Sequence, residues 1–403
     1  MKEQTHRPYH TMGLESGQNK AANPDEQSPS LSQPSEFSFL LFHHRKLFKQ
    51  TPKMVIIFAT VAISCLLLYH HPLPLSGNYN PLADSEHIEN SLNQYGYRFP
   101  GINLDELKSI LENATMGTNT VIITTMNDAW TEPDSMFDLF LESFRIGNQT
   151  KRFLKHIVVV TLDQKAYSRC LKLHPHCYNL STRGMDFSGE AYFMAADYLK
   201  MMWRRIDFLR TVLDLGYSFL FTDADIMWFR DPFPQFHKDA DFQIACDYFN
   251  GNPYDLNNLP NGGFNYVKSN KKTIQFYKFW YNSRLTYPSM HDQDVFNKIK
   301  YNPFIKNVGL QIRFLDTAYF GGFCQPSKDL NKVCTMHANC CVGLENKVND
   351  LGIMLGDWRN YTRSLNNQTT HESVGLWTIP QLCRGSFQRP RPPPKKYDKG
   401  RKN

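Results

Sequence analysis

The sequence predicts an α/β domain with a largely parallel sheet over residues 101–385, and three observations carry that reading. Val121–Thr125 and Ile157–Leu162 are short, β-branched runs bounded by polar residues, the pattern of buried parallel strands. Leu199, Met202, Trp203, Ile206, Leu209 and Leu213 recur at helical spacing, with Gly216 where a C-cap glycine belongs. Phe219–Thr222 supplies a third apolar strand. Strand, helix, strand in that order sets parallel strands side by side, and ligands of such sheets sit beyond the strands' carboxyl ends.

Composition agrees with a folded chain. The 403 residues are 41% apolar, 14% aromatic and 21% charged, which excludes a disordered or collagen-like protein. The formal charge of +7 is unevenly spread. Residues 384–403 carry eight basic side chains against Asp398 alone, and residues 1–53 carry seven basic against five acidic, which leaves 54–383 at −2. The basicity belongs to the tails, so no nucleic-acid partner is expected.

Residues 1–53, rich in Ser, Gln, Asn and Pro, read as a disordered cytosolic tail. Met54–Tyr69 is 16 residues without a charge and apolar on all faces. It predicts a transmembrane signal-anchor helix at 54–70, about 24 Å long against a ~30 Å hydrocarbon core, with Lys53, His70 and His71 covering the deficit. Arg45, Lys46, Lys49 and Lys53 precede it, so the N-terminus stays cytosolic and the remainder lumenal, a single-pass type II arrangement. The long polar segment ahead of the run argues against a cleaved signal peptide. Residues 71–100 read as an irregular stem, 101–385 as the lumenal domain and 386–403 as a disordered basic tail. Five Asn-x-Ser/Thr acceptors, at Asn113, Asn148, Asn179, Asn360 and Asn367, all lie beyond the anchor. So do eight of the nine cysteines, an even number compatible with disulfides. Cys170 and Cys177, and Cys324 and Cys334, are near enough to close small loops, and no CxxC pair offers a zinc site. The short anchor suits early secretory membranes, and the Golgi membrane is the expected location.

The sharpest feature is Asp223-Ala-Asp225, which follows the Phe219–Thr222 strand and precedes Ile-Met-Trp-Phe. In extended chain both carboxylates point the same way and reach one ion. Hard oxygen ligands suit Mg²⁺ or Mn²⁺, held by one or two carboxylates together with substrate phosphates. The competing reading is a capping or turn-forming Asp-Ala-Asp.

Trp203–Tyr217 followed by Phe-Leu-Phe-Thr-Asp-Ala-Asp225-Ile-Met-Trp resembles the plant nucleotide-diphospho-sugar transferase family, glycosyltransferase family 77, over roughly residues 115–385. The resemblance implies a GT-A fold, a Rossmann-like mixed sheet flanked by helices. It also implies a type II Golgi protein, a UDP-sugar donor and retaining transfer assisted by Mn²⁺. Characterised members transfer xylose, galactose or arabinose to cell-wall polysaccharides and glycoproteins. Asp223 and Asp225 match the metal-binding DxD. Thr124, Thr125 and Asn127 match the first strand and loop, which hold base and ribose. Arg204 and Arg205 match a basic position near the donor. Asn261-Gly262-Gly263 resembles the sugar-pocket segment, and Asp292-Gln293-Asp294 the stretch facing the transferred sugar. His337 resembles the imidazole that completes the metal shell and Lys347 the lysine that meets the diphosphate, at a spacing longer than the HxxGxxK of glycogenin-type enzymes.

Elementary chemistry runs parallel to these assignments. A departing diphosphate needs a divalent ion and Arg or Lys to neutralise it. Asn-Gly-Gly either lets backbone approach a sugar, there being no Cβ, or forms an ordinary turn. Asp292–Asp294 opens a helix, where acids also favour the helix dipole. His337, among Cys334, Cys340 and Cys341, reads as a ligand or as a packed histidine. Trp130 and Phe264 are stacking platforms or core aromatics. A haloacid dehalogenase-type phosphohydrolase also ends a strand in Asp-x-Asp, but wants Thr or Val where Met227 stands. A non-catalytic lumenal scaffold on a transferase fold is the remaining alternative.

Overall fold

The computed structural model describes residues 102–180, 182, 187–189, 194–366 and 376–388. The expected anchor at 54–70 lies outside them, as do the cytosolic tail, the stem and all but the start of the basic tail. Among the described residues no helix is long and apolar enough to cross a membrane. The last helix runs to Gln388, three residues past the expected domain boundary.

In chain order the elements are α1 (Leu104–Ala114), β1 (Thr120–Met126), α2 (Asp128–Thr131), α3 (Met136–Ile146), β2 (Ile157–Thr161), α4 (Gln164–Leu173), β3 (Cys177–Asn179) and α5 (Ala196–Asp214). There follow β4 (Ser218–Thr222), β5 (Ile226–Trp228), β6 (Phe242–Tyr248), β7 (Leu259–Val267), α6 (Lys271–Ser283), α7 (Asp292–Ile299) and α8 (Pro303–Asn307). Last come β8 (Ile312–Phe314), β9 (Phe320–Gly322), β10 (Thr335–His337), α9 (Leu344–Asn366) and α10 (Gln381–Gln388).

Seven strands form one sheet in the order β3-β2-β1-β4-β7-β6-β8. The three strands expected from sequence are its centre, and Ile122 pairs in parallel with Ile157 on one side and Leu220 on the other. Beyond β4 the sheet turns mixed. β7 runs antiparallel to both β4 and β6, and β8 is parallel to β6. A second sheet of three short strands, β5-β10-β9, lies beside it.

Side-chain alternation along β1 divides the interior between the sheet's faces. Val121 and Ile123 enter a core with Leu107 of α1, Ile206 and Val212 of α5, and Phe276 and Trp280 of α6. Ile122 and Met126 enter another with Phe137, Phe140 and Phe144 of α3, Trp228, Met336, and Trp358 of α9. Helix α5 ends as its sequence predicts. Gly216 takes φ +86° and its N–H donates to the Leu213 carbonyl, a left-handed cap that only glycine adopts without strain.

Three disulfides form, Cys170–Cys177, Cys324–Cys340 and Cys341–Cys383. The first joins the pair near in sequence. The other near pair does not form, because Cys324 meets Cys340, whereas Cys334 stays a buried thiol, as does Cys246. Of the glycosylation acceptors, Asn113, Asn148 and Asn360 are exposed. Asn179 is half-buried and donates to Gln164 Oε1, and Asn367 lies outside the described residues.

Candidate active site

The Asp223–Asp225 stretch is a tight turn between β4 and β5 rather than extended chain, closed by the Ile226 N–H donating to the Asp223 carbonyl at 3.2 Å. The expected geometry was wrong, yet the turn still brings the carboxylates together. The chain leaves the large sheet there and enters β5, which pairs antiparallel with β10, and Ile226 sits opposite His337. One ligand atom from each of Asp223, Asp225 and His337 lies within 4.8 Å of the others.

Each group of that cluster has a distinct electrostatic setting. Asp225 is 1% exposed, with Lys347 Nζ 2.6 Å from Oδ2 and His337 Nε2 3.2 Å from Oδ1. Burial works against its ionisation, but Lys347 and His337 override it and hold the carboxyl well below its usual range. Burial pushes the Asp223 carboxyl up, against the Arg205 guanidinium 2.9 Å away. Burial disfavours the His337 imidazolium, but the charges of Asp225 and Asp223 prevail and raise its pKa.

Two observations test whether these residues suit a cation. Asp225 Oδ1 is buried, and its contact with His337 Nε2 at 3.2 Å falls outside good hydrogen-bond alignment, which leaves the oxygen's lone pairs poorly used in a buried place. A Cβ on Gly263 would sit 2.6 Å from Asp223 Oδ2 and 2.7 Å from His337 Cε1, so the strand opposite the ligands is stripped to backbone. Two carboxylate oxygens and an imidazole nitrogen fit a divalent cation such as Mn²⁺ or Mg²⁺.

Arg205 ties this cluster to the next. Its second amine lies 2.6 Å from Asp292 Oδ2, and its guanidinium is 4.8 Å above the Phe221 ring. Burial opposes ionisation of Asp292, but Arg205 overcomes it and holds the carboxyl at about 2. Asp292 is the first residue of α7, as expected. Gln293 accepts from the Gly262 N–H at 2.9 Å, while Asp294 is 42% exposed beside His291. Asn261-Gly262-Gly263 lies within β7 rather than in a turn.

Other expected residues sit elsewhere. Arg204 points away, 1% exposed in the helix-covered core and 3.4 Å from Asp207 of its own helix. The two arginines diverge because consecutive helical positions never share a face. Thr124 Oγ1 is buried without a hydrogen-bond partner among the described residues, and Thr125 is half-buried. Asn127 donates to the carbonyls of Phe187 and Gly189, both at 2.8 Å, and so fastens that segment over the end of β1. Phe264 is a core aromatic, 1% exposed, whereas half-buried Trp130 lies under Lys347 Nζ at 5.6 Å. Sequence reading missed Asp247 of β6 and Asn339 just after β10, which bond to each other at 2.8 Å at the edge of the cluster. Neither stands in a recognisable motif.

An acidic turn at the carboxyl end of a mixed α/β sheet, faced by an imidazole, a lysine and an arginine, marks a protein that handles phosphate-bearing ligands. Residues 152–351 match the model of the nucleotide-diphospho-sugar transferase family. An Arabidopsis thaliana relative, uncharacterized protein At4g15970, is 54% identical over 281 residues, 70% of this chain and 74% of its own length. The chain belongs to the nucleotide-diphospho-sugar transferase family and is a glycosyltransferase, consistent with glycosyltransferase family 77. More distant are the UDP-galactose:fucoside alpha-3-galactosyltransferase of Dictyostelium discoideum, 33% identical over 25% of this chain and 15% of that protein, and the UDP-D-xylose:L-fucose alpha-1,3-D-xylosyltransferase 3 of Arabidopsis thaliana, 24% identical over 32% and 35%.

Proposed function

We propose that this glycosyltransferase moves a sugar of the xylose, galactose or arabinose class from a UDP-sugar to a cell-wall polysaccharide or glycoprotein, with retention, as a single-pass type II protein of the Golgi membrane. The observation that carries the metal-dependent part is the cluster of Asp223, Asp225 and His337, one ligand atom from each within 4.8 Å of the others, with buried Asp225 Oδ1 facing His337 Nε2 at 3.2 Å. UDP-sugar donors are supported by the names of the two distant relatives, and retention by the family resemblance.

Asp223, Asp225 and His337 would hold Mn²⁺ or Mg²⁺. When bound, the cation supplies charge neutralisation and Lewis acidity at the diphosphate. Lys347, 2.6 Å from Asp225, keeps that carboxylate ionised and stands at the rim to meet phosphate oxygens. Arg205, shared between Asp223 and Asp292, fixes the metal-binding turn against the start of α7. That start presents Gln293 and Asp294 to the sugar, while Gly262 and Gly263 let the β7 backbone come close to it.

The test is UDP release from UDP-xylose, UDP-galactose and UDP-arabinose by the purified protein, with and without Mn²⁺. Metal-dependent release is expected, and Asp225→Ala should lower it on the order of 100-fold or more with the fold retained by circular dichroism. Undiminished Mn²⁺-dependent release in that variant would remove the assignment. Absence of any release, together with no thermal stabilisation by Mn²⁺ and UDP, would favour the non-catalytic scaffold.

A further inference from the structure

Three amide side chains from three separate elements converge on one carboxylate that belongs to no motif. Asp247 Oδ1 accepts from Asn261 Nδ2 and from Asn339 Nδ2, each at 2.8 Å, and its Oδ2 accepts from Gln293 Nε2 at 3.0 Å. The carbonyl ends of the same amides are taken by backbone. Asn261 Oδ1 accepts from the Gly263 N–H at 2.9 Å, Gln293 Oε1 from the Gly262 N–H at 2.9 Å, and Asn339 Oδ1 from the Cys324 N–H at 3.1 Å.

A primary amide is nearly symmetric in shape, so only its hydrogen bonds decide which way it faces. An acceptor-only carboxylate at one end and a backbone donor at the other leave each of these three a single orientation. The network also spans the site. It joins the glycine-bearing strand β7, the start of α7, and the chain two residues beyond His337.

We propose that Asp247 is the positioning residue of the sugar-binding half of the site. It orients the amides of Asn261 and Gln293 and registers them, through Asn339, against the strand that carries His337. This rests on the reading of the site as one for a UDP-sugar. It goes beyond that reading by giving donor-sugar orientation to a carboxylate outside the sugar-facing segments.

Asp247→Asn is nearly isosteric but replaces an acceptor oxygen with an amide that must face at least one of the three donors. If the new Oδ1 keeps Asn261 and Asn339, its Nδ2 opposes Gln293 Nε2. Gln293 must then turn, and the Gly262 N–H loses its partner. Adding Gln293→Glu restores the pattern, since the introduced amide then donates to a carboxylate whose other oxygen still accepts from Gly262.

The experiment measures UDP-sugar hydrolysis, inhibition by UDP and thermal denaturation for wild type, Asp247→Asn and the double variant. Asp247→Asn is expected to lower kcat/KM for the UDP-sugar about 10- to 100-fold, the usual effect of losing a supporting hydrogen-bond partner. The inhibition constant of UDP should stay within about twofold of wild type, because the diphosphate is held elsewhere. Its melting temperature should fall roughly 2–4 °C and recover in the double variant. Wild-type kcat/KM in Asp247→Asn overturns the proposal. So does a UDP inhibition constant that weakens as much as kcat/KM, which would mark a general support of the fold. If wild type neither hydrolyses UDP-sugars nor binds UDP, the functional reading fails separately. The thermal cycle then decides the network, with recovery upholding it and no recovery overturning it.

Discussion

Two adjacent glycines show how closely the site is built. A Cβ on Gly263 would lie 2.6 Å from Asp223 Oδ2, 2.7 Å from His337 Cε1 and 2.9 Å from Asn261 Oδ1, whereas one on Gly262 would meet nothing nearer than 3.7 Å. Gly263→Ala is therefore expected to destabilise by about 1–3 kcal/mol through crowding and to abolish the rise in melting temperature that the proposed metal site predicts on adding Mn²⁺. Gly262→Ala should leave both close to wild type. Thermal denaturation with and without Mn²⁺ checks the pair, and matching behaviour of the two variants would rule out crowding as the cause. The sequence marked both glycines alike as points of close approach. It had no means of separating them, because what crowds Gly263 arrives from His337 and Asp223, far away along the chain. Asp247 was unreadable for the same reason. Its partners stand 14, 46 and 92 residues away, and nothing within Phe-Gln-Ile-Ala-Cys-Asp-Tyr signals them.

The strand that carries His337 is only three residues long, too short for period-2 patterning to show. It is held by neighbours instead. His337 pairs with Ile226 on one side and with Gly322 on the other, and the Cys324–Cys340 disulfide closes the chain around it. Removing that bridge by Cys324→Ser with Cys340→Ser is expected to destabilise by about 3 kcal/mol for its 16-residue separation and to weaken Mn²⁺ binding by loosening the imidazole. Cys170→Ser with Cys177→Ser cuts a bridge between α4 and β3, away from the cluster, and should lower stability while sparing Mn²⁺ affinity. Isothermal titration with Mn²⁺ separates the two, and equal affinities would mean that the strand needs no clamp. Elements with many periods were legible. The three central strands and α5 lie within a few residues of their patterns, since apolar periodicity is a local signal. The Asp223–Asp225 turn was not, because a turn and an extended chain differ there by backbone dihedrals that β5 and β10 impose from outside.

At the scale of the molecule, the helix-covered core, the central sheet and the candidate site meet at one buried cation. Arg205 descends from α5, lies against Phe221 of β4, and pairs with both Asp223 and Asp292. A carboxyl held at about 2 in the folded chain, against about 4 in an unfolded one, binds its proton more readily after unfolding. Its depressed pKa contributes stability that is complete above about pH 5 and is lost as pH falls toward 2, worth roughly 2 kcal/mol for a shift of this size. Asp292→Asn should accordingly flatten the fall in unfolding free energy between pH 5 and pH 3. It should also lower stability by about 2 kcal/mol at neutral pH, the contribution of the depressed carboxyl, with Arg205 left to Asp223 alone as its partner in a buried place. Urea unfolding from pH 7 to pH 3 measures both effects. A variant with wild-type acid sensitivity would move that sensitivity to other carboxylates, and one with wild-type stability at pH 7 would show that Asp223 alone suffices to hold the arginine.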